Sequence, residues 1–250
     1  MKILYKAGNR SGYVNHYYHF LFGYLLPVLS DIKRHNNNYM IDCGPMNNIL
    51  EELGFLIHSE SNLKMEGHKR IRGFDTPHLK IPEATMSKAI EQINILLPTK
   101  RVDTYDFLLI DRGPTPTKKE RIAFQKLKRK DLRGNQRRSI TNMDEIENLL
   151  LRFSKKVQRH RLENLSLRDQ IKIFKGAKYI IGQHGAAISN LCFAERCEHV
   201  IELQAIQNKK FFNNIAEHMK INKINFTIPT GRHVEADCKL LKKEISNIYE

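Results

Sequence analysis

The chain has 250 residues, 41% of them hydrophobic, enough for one large or two small domains with real cores. No apolar run approaches the roughly 20 residues of a membrane span, and the opening MKILYKAGNRSGY lacks the apolar stretch of a secretory leader. The expectation is therefore a cytoplasmic protein, or one trimmed of an anchor. A net charge of +15 favours an anionic partner, such as a nucleotide-sugar, a nucleic acid, a membrane surface or an acidic glycan.

Taken in order, Lys2–Tyr5 reads as a short strand and Asn15–Ile32 as a helix that Pro27 kinks or interrupts. His16 and His19 are three apart and share a helical face. Strand Asn38–Asp42, helix Met46–Leu53, strand Phe55–His58, a weak strand His68–Phe74 and helix Glu83–Leu97 follow. Residues 1–98 thus read as a small α/β lobe. Asp42 and Asp75 lie near its strand ends, where open α/β sheets commonly carry catalytic acids. Cys43, Cys192, Cys197 and Cys238 are scattered, without paired zinc-like spacing, and read as reduced thiols.

Residues 104–250 read as a second lobe. Tyr105–Asp111 is a buried strand with Arg112-Gly113-Pro114 at its C-terminal end. Lys118–Arg138 holds ten Lys or Arg against two acids, with Phe124 as its single aromatic residue. It lacks the stacking platform of a single-strand nucleic-acid binder and reads as a solvated, partly helical segment. Such a segment suits an anionic acceptor or a peripheral contact with an anionic membrane. Helix Met143–Phe153 and strand Lys156–His160 come next. Ser166, with Asp169 three residues on, caps a helix bearing Leu167, Ile171 and Phe174. Strand Tyr179–Ile181, the turn Gly182-Gln183-His184-Gly185, helix Ala186–Phe193 and strand His199–Leu203 form the central string. Helix Lys209–Met219, strand Lys223–Ile228 and helix Val234–Ile248 complete the chain. This alternation of strand and helix predicts a doubly wound parallel sheet.

The glycine turn is the most informative stretch. A strand feeding a helix leaves the first N–H groups of that helix unpaired and aimed past the strand end, which suits a phosphate. Gly185-Ala186-Ala187 has no bulk to hold a ligand away from the backbone. An ordinary strand–helix turn packed with small residues reads the same way. No GxGxxG or GxxxxGK[ST] string is present, so dinucleotide and NTPase fingerprints are missing.

Three blocks carry a resemblance. One runs from Asp169-Gln170-Ile171 through Leu203. The second is Arg138-Ser139-Ile140-Thr141-Asn142, followed by Glu145. The third comprises Asn15, Tyr18, His19, Phe20, Leu21 and Pro27, with Gly23 where an acid is usual. Together they resemble glycosyltransferase family 61. The resemblance implies a GT-B-like α/β fold of two Rossmann-like lobes with parallel sheets, the N-terminal lobe reduced and serving the acceptor. It also implies transfer of a sugar, with inversion, from a nucleotide-sugar (UDP-linked by preference) to a glycan, glycolipid or glycoprotein. Donor contacts then fall on Arg112, Arg138, Asn142, His184, Gly185, Ala186, Ala187, Asn190 and Glu202, with Glu202 facing the ribose. His19 and Asp42 are the candidate bases. No DxD triplet is present, so no metal is assigned and no cofactor beyond the donor is expected. The alternatives are a catalytically inactive, glycan-binding family member and a basic nucleic-acid-binding protein. No specific nucleic-acid partner is expected.

Overall fold

The computed structural model describes residues 3–8, 13–32, 38–58, 67–73, 82–99, 101–126, 134–205 and 212–249. Four short strands, β1 (Ile3–Ala7), β2 (Asn38–Ile41), β3 (Leu56–His58) and β4 (Gly67–Ile71), form a parallel sheet in the order β3-β2-β1-β4. The helices of this half are α1 (Tyr17–Phe20), α2 (Leu26–Asp31), α3 (Asn47–Glu52) and α4 (Glu83–Leu96).

The predicted kink at Pro27 takes a different form. Between α1 and α2 the helix continues through a π-helical turn, Leu21–Leu25. Proline lacks an N–H, and its ring crowds the carbonyl four residues back, here that of Gly23; widening the helix at that point relieves the clash without a break. Phe20 through Leu29 are all buried. A helix apolar on every side must be covered on every side. Tyr24 ties it to the first sheet, donating to Tyr5 O at 2.6 Å and accepting from the Ile41 N–H at 3.1 Å.

Five strands form the second sheet: β5 (Tyr105–Ile110), β7 (Val157–His160), β8 (Ala177–Gln183), β9 (His199–Gln204) and β10 (Asn222–Thr227). All are parallel, in the order β10-β9-β8-β5-β7. Between and beside them lie α5 (Lys118–Gln125), α6 (Gly134–Arg137), α7 (Met143–Leu150), α8 (Leu167–Gly176), α9 (Asn213–His218) and α10 (Cys238–Ile248). A separate two-stranded parallel pair joins β6 (Ser139–Ile140) to β11 (His233–Val234). Val234 is therefore in a strand, and the last helix starts four residues later behind Asp237, which caps the Lys239 and Leu240 N–H groups.

Alternation along β5 divides the core. Phe107 and Leu109 pack with α7 and α10 residues such as Ile146 and Leu241 on one face. Leu108 and Ile110 join a cluster on the other face that continues through Phe20, Leu25 and Tyr5 into the first half. Side chains also cross between the halves. Ser166 caps α8 as predicted, accepting from the Asp169 N–H at 3.1 Å, while Glu52 of α3 accepts from the Leu167 and Arg168 N–H groups at 2.8 and 3.1 Å. Among the described residues no helix is long and apolar enough to cross a membrane.

Candidate functional site

In the second sheet the chain leaves β5 for the edge strand β7, then returns to β8 and continues outward the other way. Such a reversal opens a crevice at the C-terminal strand ends, the usual ligand position in open parallel sheets. Ile110 pairs with Gly182 across it, so the loops after β5 and β8 emerge side by side. Arg112 reaches across, its Nη1 donating to the His184 carbonyl at 3.3 Å. The Gly185 backbone is ordinary extended chain, and a Cβ there would sit 2.1 Å from Arg112 Nη1, so any larger residue displaces that guanidinium.

The predicted helix after the turn is a 3₁₀ helix over Ala186–Phe193. Its first internal bond runs from the Ile188 N–H to Gly185 O at 3.0 Å, so the Ala186 and Ala187 N–H groups precede the ladder. Ser189 donates back to Ala186 O, which favours the tighter i to i+3 winding.

Charge gathers at the same place. Burial, and then the adjacent Arg138, push the Arg112 guanidinium down to about 10; Arg137 acts in the same direction and Glu163 against it. Two half-buried guanidiniums held near one another are repulsive, and an anion between them relieves that repulsion.

Behind His184 lies a buried charge group. The His184 Nδ1–H donates to Glu202 Oε1, and Lys223 Nζ from β10 pairs with Glu202 Oε2 at 2.6 Å. Burial alone would raise the Glu202 carboxyl, but the hydrogen bond from His184 and the Lys223 ammonium together hold it below the usual range. Glu202 is 0% exposed; Oε1 bonds to His184, and Oε2 has the Lys223 ammonium beside it as an ion pair without hydrogen-bond alignment. Expected at the ribose, it is held here by His184 and Lys223.

A narrow cleft opens beside His184, lined by Arg138, Gln183, Leu203, Gln204 and Ala205 among others. Gln183 and Gln204 are buried, and among the described residues Gln183 Oε1 and both polar atoms of the Gln204 amide have no hydrogen-bond partner.

The other candidates separate into two groups. A chain of rings links His19 to His184: His19 to Tyr18 at 5.5 Å between centroids, Tyr18 to Phe212 at 5.8 Å, and Phe212 to His184 at 5.4 Å. Asp42 follows β2, where its carboxylate is exposed and accepts from the Gly44 N–H at 2.7 Å and the Asn47 amide at 2.8 Å; these bonds hold it below the usual carboxylate range. Asn142 and Asn190, expected at the donor, bond to protein groups in the fold. Asn142 exchanges two 2.9 Å bonds with the Ala236 backbone. Asn190 accepts from the Tyr17 hydroxyl and donates to Gln170 Oε1 at 3.0 Å. Asp75 lies outside the described residues. Among the described residues no three His, Cys, Asp or Glu side chains are grouped as a metal ion would need.

Sequence reasoning missed Lys223, Phe212, Tyr17 and the two glutamines as parts of this neighbourhood. Gln183 stands inside the turn motif and was open to notice; the others arrive only through strand order and helix packing. No curated protein matches the chain in a sequence comparison. The family model described as Glycosyltransferase 61 matches residues 17–201, and with so much of its length covered the chain belongs to that family of glycosyltransferases.

Proposed function

We propose that the protein transfers a sugar, with inversion and without a metal, from a nucleotide-sugar to a hydroxyl of a glycan, glycolipid or glycoprotein, and that the donor is UDP-linked. The observation that carries this reading is Arg112 set against the Gly185 turn at the sheet's crevice, with Arg138 lining the cleft beside His184. A diphosphate fits it: guanidiniums supply fixed charge, and the Ala186 and Ala187 N–H groups supply donors. In this reading residues 104–250 hold the donor and residues 1–98 the acceptor, in a GT-B arrangement. The basic segment from Lys118 to Arg138 supplies counter-charge to an anionic acceptor or membrane surface.

The reaction needs a base and a stabilised leaving group. The acceptor oxygen attacks the anomeric carbon opposite the diphosphate, the carbon–oxygen bond to the diphosphate breaks, and the hydroxyl proton passes to the base. His19 suits that role better than Asp42, whose two hydrogen bonds lower its affinity for a proton. Glu202, with Lys223 behind it, fixes His184 against the donor. Arg112 and Arg138 neutralise the departing diphosphate, the task a metal performs in other glycosyltransferases.

The test is a thermal-shift screen of UDP, GDP, CMP and their sugar conjugates, with EDTA or Mn²⁺. UDP is expected to raise the melting temperature in EDTA, and Arg138→Ala or Gly185→Asp to abolish the shift. Transfer lost in EDTA and restored by Mn²⁺ would overturn metal independence, and normal turnover in folded His19→Ala would remove the base. Absence of any nucleotide shift beside tight, salt-sensitive duplex binding would favour a nucleic-acid protein.

A further inference from the structure

A group of aromatic rings stands where the chain enters α1. Tyr13 is 74% exposed, more than any other large hydrophobic side chain among the described residues. Its ring centroid lies 6.2 Å from that of His16 and 6.2 Å from that of His19, and the two imidazoles are 6.3 Å apart. The three pairs meet at 63°, 79° and 84°, so none of these rings lies flat on another. The backbone beneath them is fixed. The Tyr13 carbonyl accepts from the His16 N–H at 2.9 Å, closing a turn, and the His16 carbonyl accepts from the N–H of buried Phe20 at 2.8 Å as the helix begins. A tyrosine on such a turn has two χ angles to order when a ligand covers it, which makes it an economical contact.

The place is one where open parallel sheets take ligands. In the first sheet the chain runs from β1 to β2 and β3, then returns to β4 on the other side of β1. That reversal opens a crevice at the C-terminal end of β1, the strand that the Tyr13 turn follows. Asn15 lies against Gly44, just beyond the end of β2; a Cβ on that glycine would sit 3.8 Å from Asn15 Cβ. The rings then lead on from His19 through Tyr18 and Phe212 to His184 at the other sheet's turn.

The chemistry of the group suits a pyranose. One face of such a sugar presents C–H groups, whose partial positive charge meets the negative face of an aromatic ring. Its rim carries hydroxyls, which bond to a phenol or to imidazole nitrogens. A phosphate or a carboxylate has no flat apolar face and gains nothing from Tyr13. The 6.2 Å from Tyr13 to His19 is comparable with the advance of a glycan chain per sugar residue. A sugar stacked on Tyr13 therefore sets its neighbour beside His19.

We propose that Tyr13, with His16 beside it, is a sugar-stacking subsite for the acceptor, and that the acceptor is the end of an oligosaccharide, not a bare amino-acid or lipid hydroxyl. The sugar that reacts lies at His19 and the next one on Tyr13. This rests on the reading above of His19 as the base and of residues 1–98 as the acceptor half, and it narrows the acceptors that reading allows.

The experiment is binding of the full chain to immobilised mono-, di- and trisaccharides of glucose, galactose, mannose, xylose and N-acetylglucosamine, for wild type, Tyr13→Ala and Tyr13→Phe, with UDP titrated separately by calorimetry. Wild type is expected to retain di- or trisaccharides and not the matching monosaccharides. Tyr13→Ala is expected to weaken that binding at least about tenfold, the size of loss seen when a stacking aromatic ring is removed. Tyr13→Phe keeps the ring and should stay within about threefold of wild type. Both variants should melt with wild type, because an exposed side chain contributes little to stability, and both should bind UDP as wild type does. Retention of no saccharide by wild type, equal retention by Tyr13→Ala, or equal binding of monosaccharides would each overturn the proposal. So would Tyr13-dependent binding of phosphatidylserine vesicles or single-stranded DNA in place of saccharides. UDP binding without Tyr13-dependent saccharide binding overturns the subsite and leaves the donor site standing. Tyr13-dependent saccharide binding by a chain that takes no nucleotide keeps the stacking site and overturns the donor reading.

Discussion

Gly185 shows how one residue can be necessary without being strained. Its backbone is extended, so an alanine fits the chain; what an alanine displaces is the Arg112 guanidinium, 2.1 Å from the new Cβ. That guanidinium ends a flexible side chain and can swing aside at little cost to the fold. Gly185→Ala is therefore expected to melt within a few degrees of wild type while UDP affinity, measured by calorimetry, falls about tenfold, the worth of one charge-assisted hydrogen bond. The sequence marked this glycine through the strand–turn string around it. The reason for it lay in a residue 73 positions away. Lys223 was less legible still. It meets Glu202 only because β10 pairs with β9, and nothing in the spacing of two residues 21 apart announces an ion pair. Glu202 read as a strand-end acid open to a ribose; in the fold it is buried, bonded to His184 and ion-paired with Lys223.

At the scale of elements, the helix from Tyr17 to Asp31 and the 3₁₀ helix from Ala186 to Phe193 hold one another through Tyr17 and Asn190. Removing the hydroxyl leaves Asn190 Oδ1 buried and unpaired. Tyr17→Phe is expected to lower stability by about 1–3 kcal/mol in urea denaturation, with an unchanged m-value. Helical periodicity and the proline located the first helix in the sequence. Periodicity reports which face is apolar, however, and not how tightly the backbone winds. The π turn before Pro27 and the 3₁₀ winding after Gly185 depend on a ring–carbonyl clash and on the Ser189 hydroxyl, and neither leaves a periodic trace.

For the whole molecule, the alternation of strands and helices predicted a parallel sheet from Tyr105 onward and the family resemblance a second one before it, and both large sheets are parallel. Strand order was not readable, because it depends on which helix covers which face. The order places Asp111 at the end of β5 beside β7, where Arg159 grips its Oδ2 with Nε and Nη2 at 3.0 and 2.8 Å. Burial would raise the Asp111 carboxyl, but the Gly113 N–H and the Arg159 guanidinium hold it below its ordinary value. A carboxyl lowered on folding stabilises the fold above its unfolded pKa, near 4, and loses that contribution as pH falls through the folded value. Melting temperature is thus expected to hold from pH 7 to 5 and fall below about pH 4. Asp111→Asn should lose about 2–3 kcal/mol at pH 7, less than the loss from breaking a fully buried pair because Arg159 is partly exposed. Its melting temperature should also fall less steeply in acid, as calorimetry across pH would show.

The helix from Tyr17 to Asp31 sets a limit on modularity. It is oily all round, roofed on one side by residues of the first sheet and on another by Ile188, Leu191 and Phe193 of the second half. Neither half is then a cassette. A chimera joining this C-terminal half to another N-terminal half inherits whichever helix its partner brings, and every mismatch between that helix and the surface beneath becomes a hole or a collision in the core. Exchange of acceptor specificity between relatives is therefore best attempted in the loops at the strand ends, with this helix left where it is.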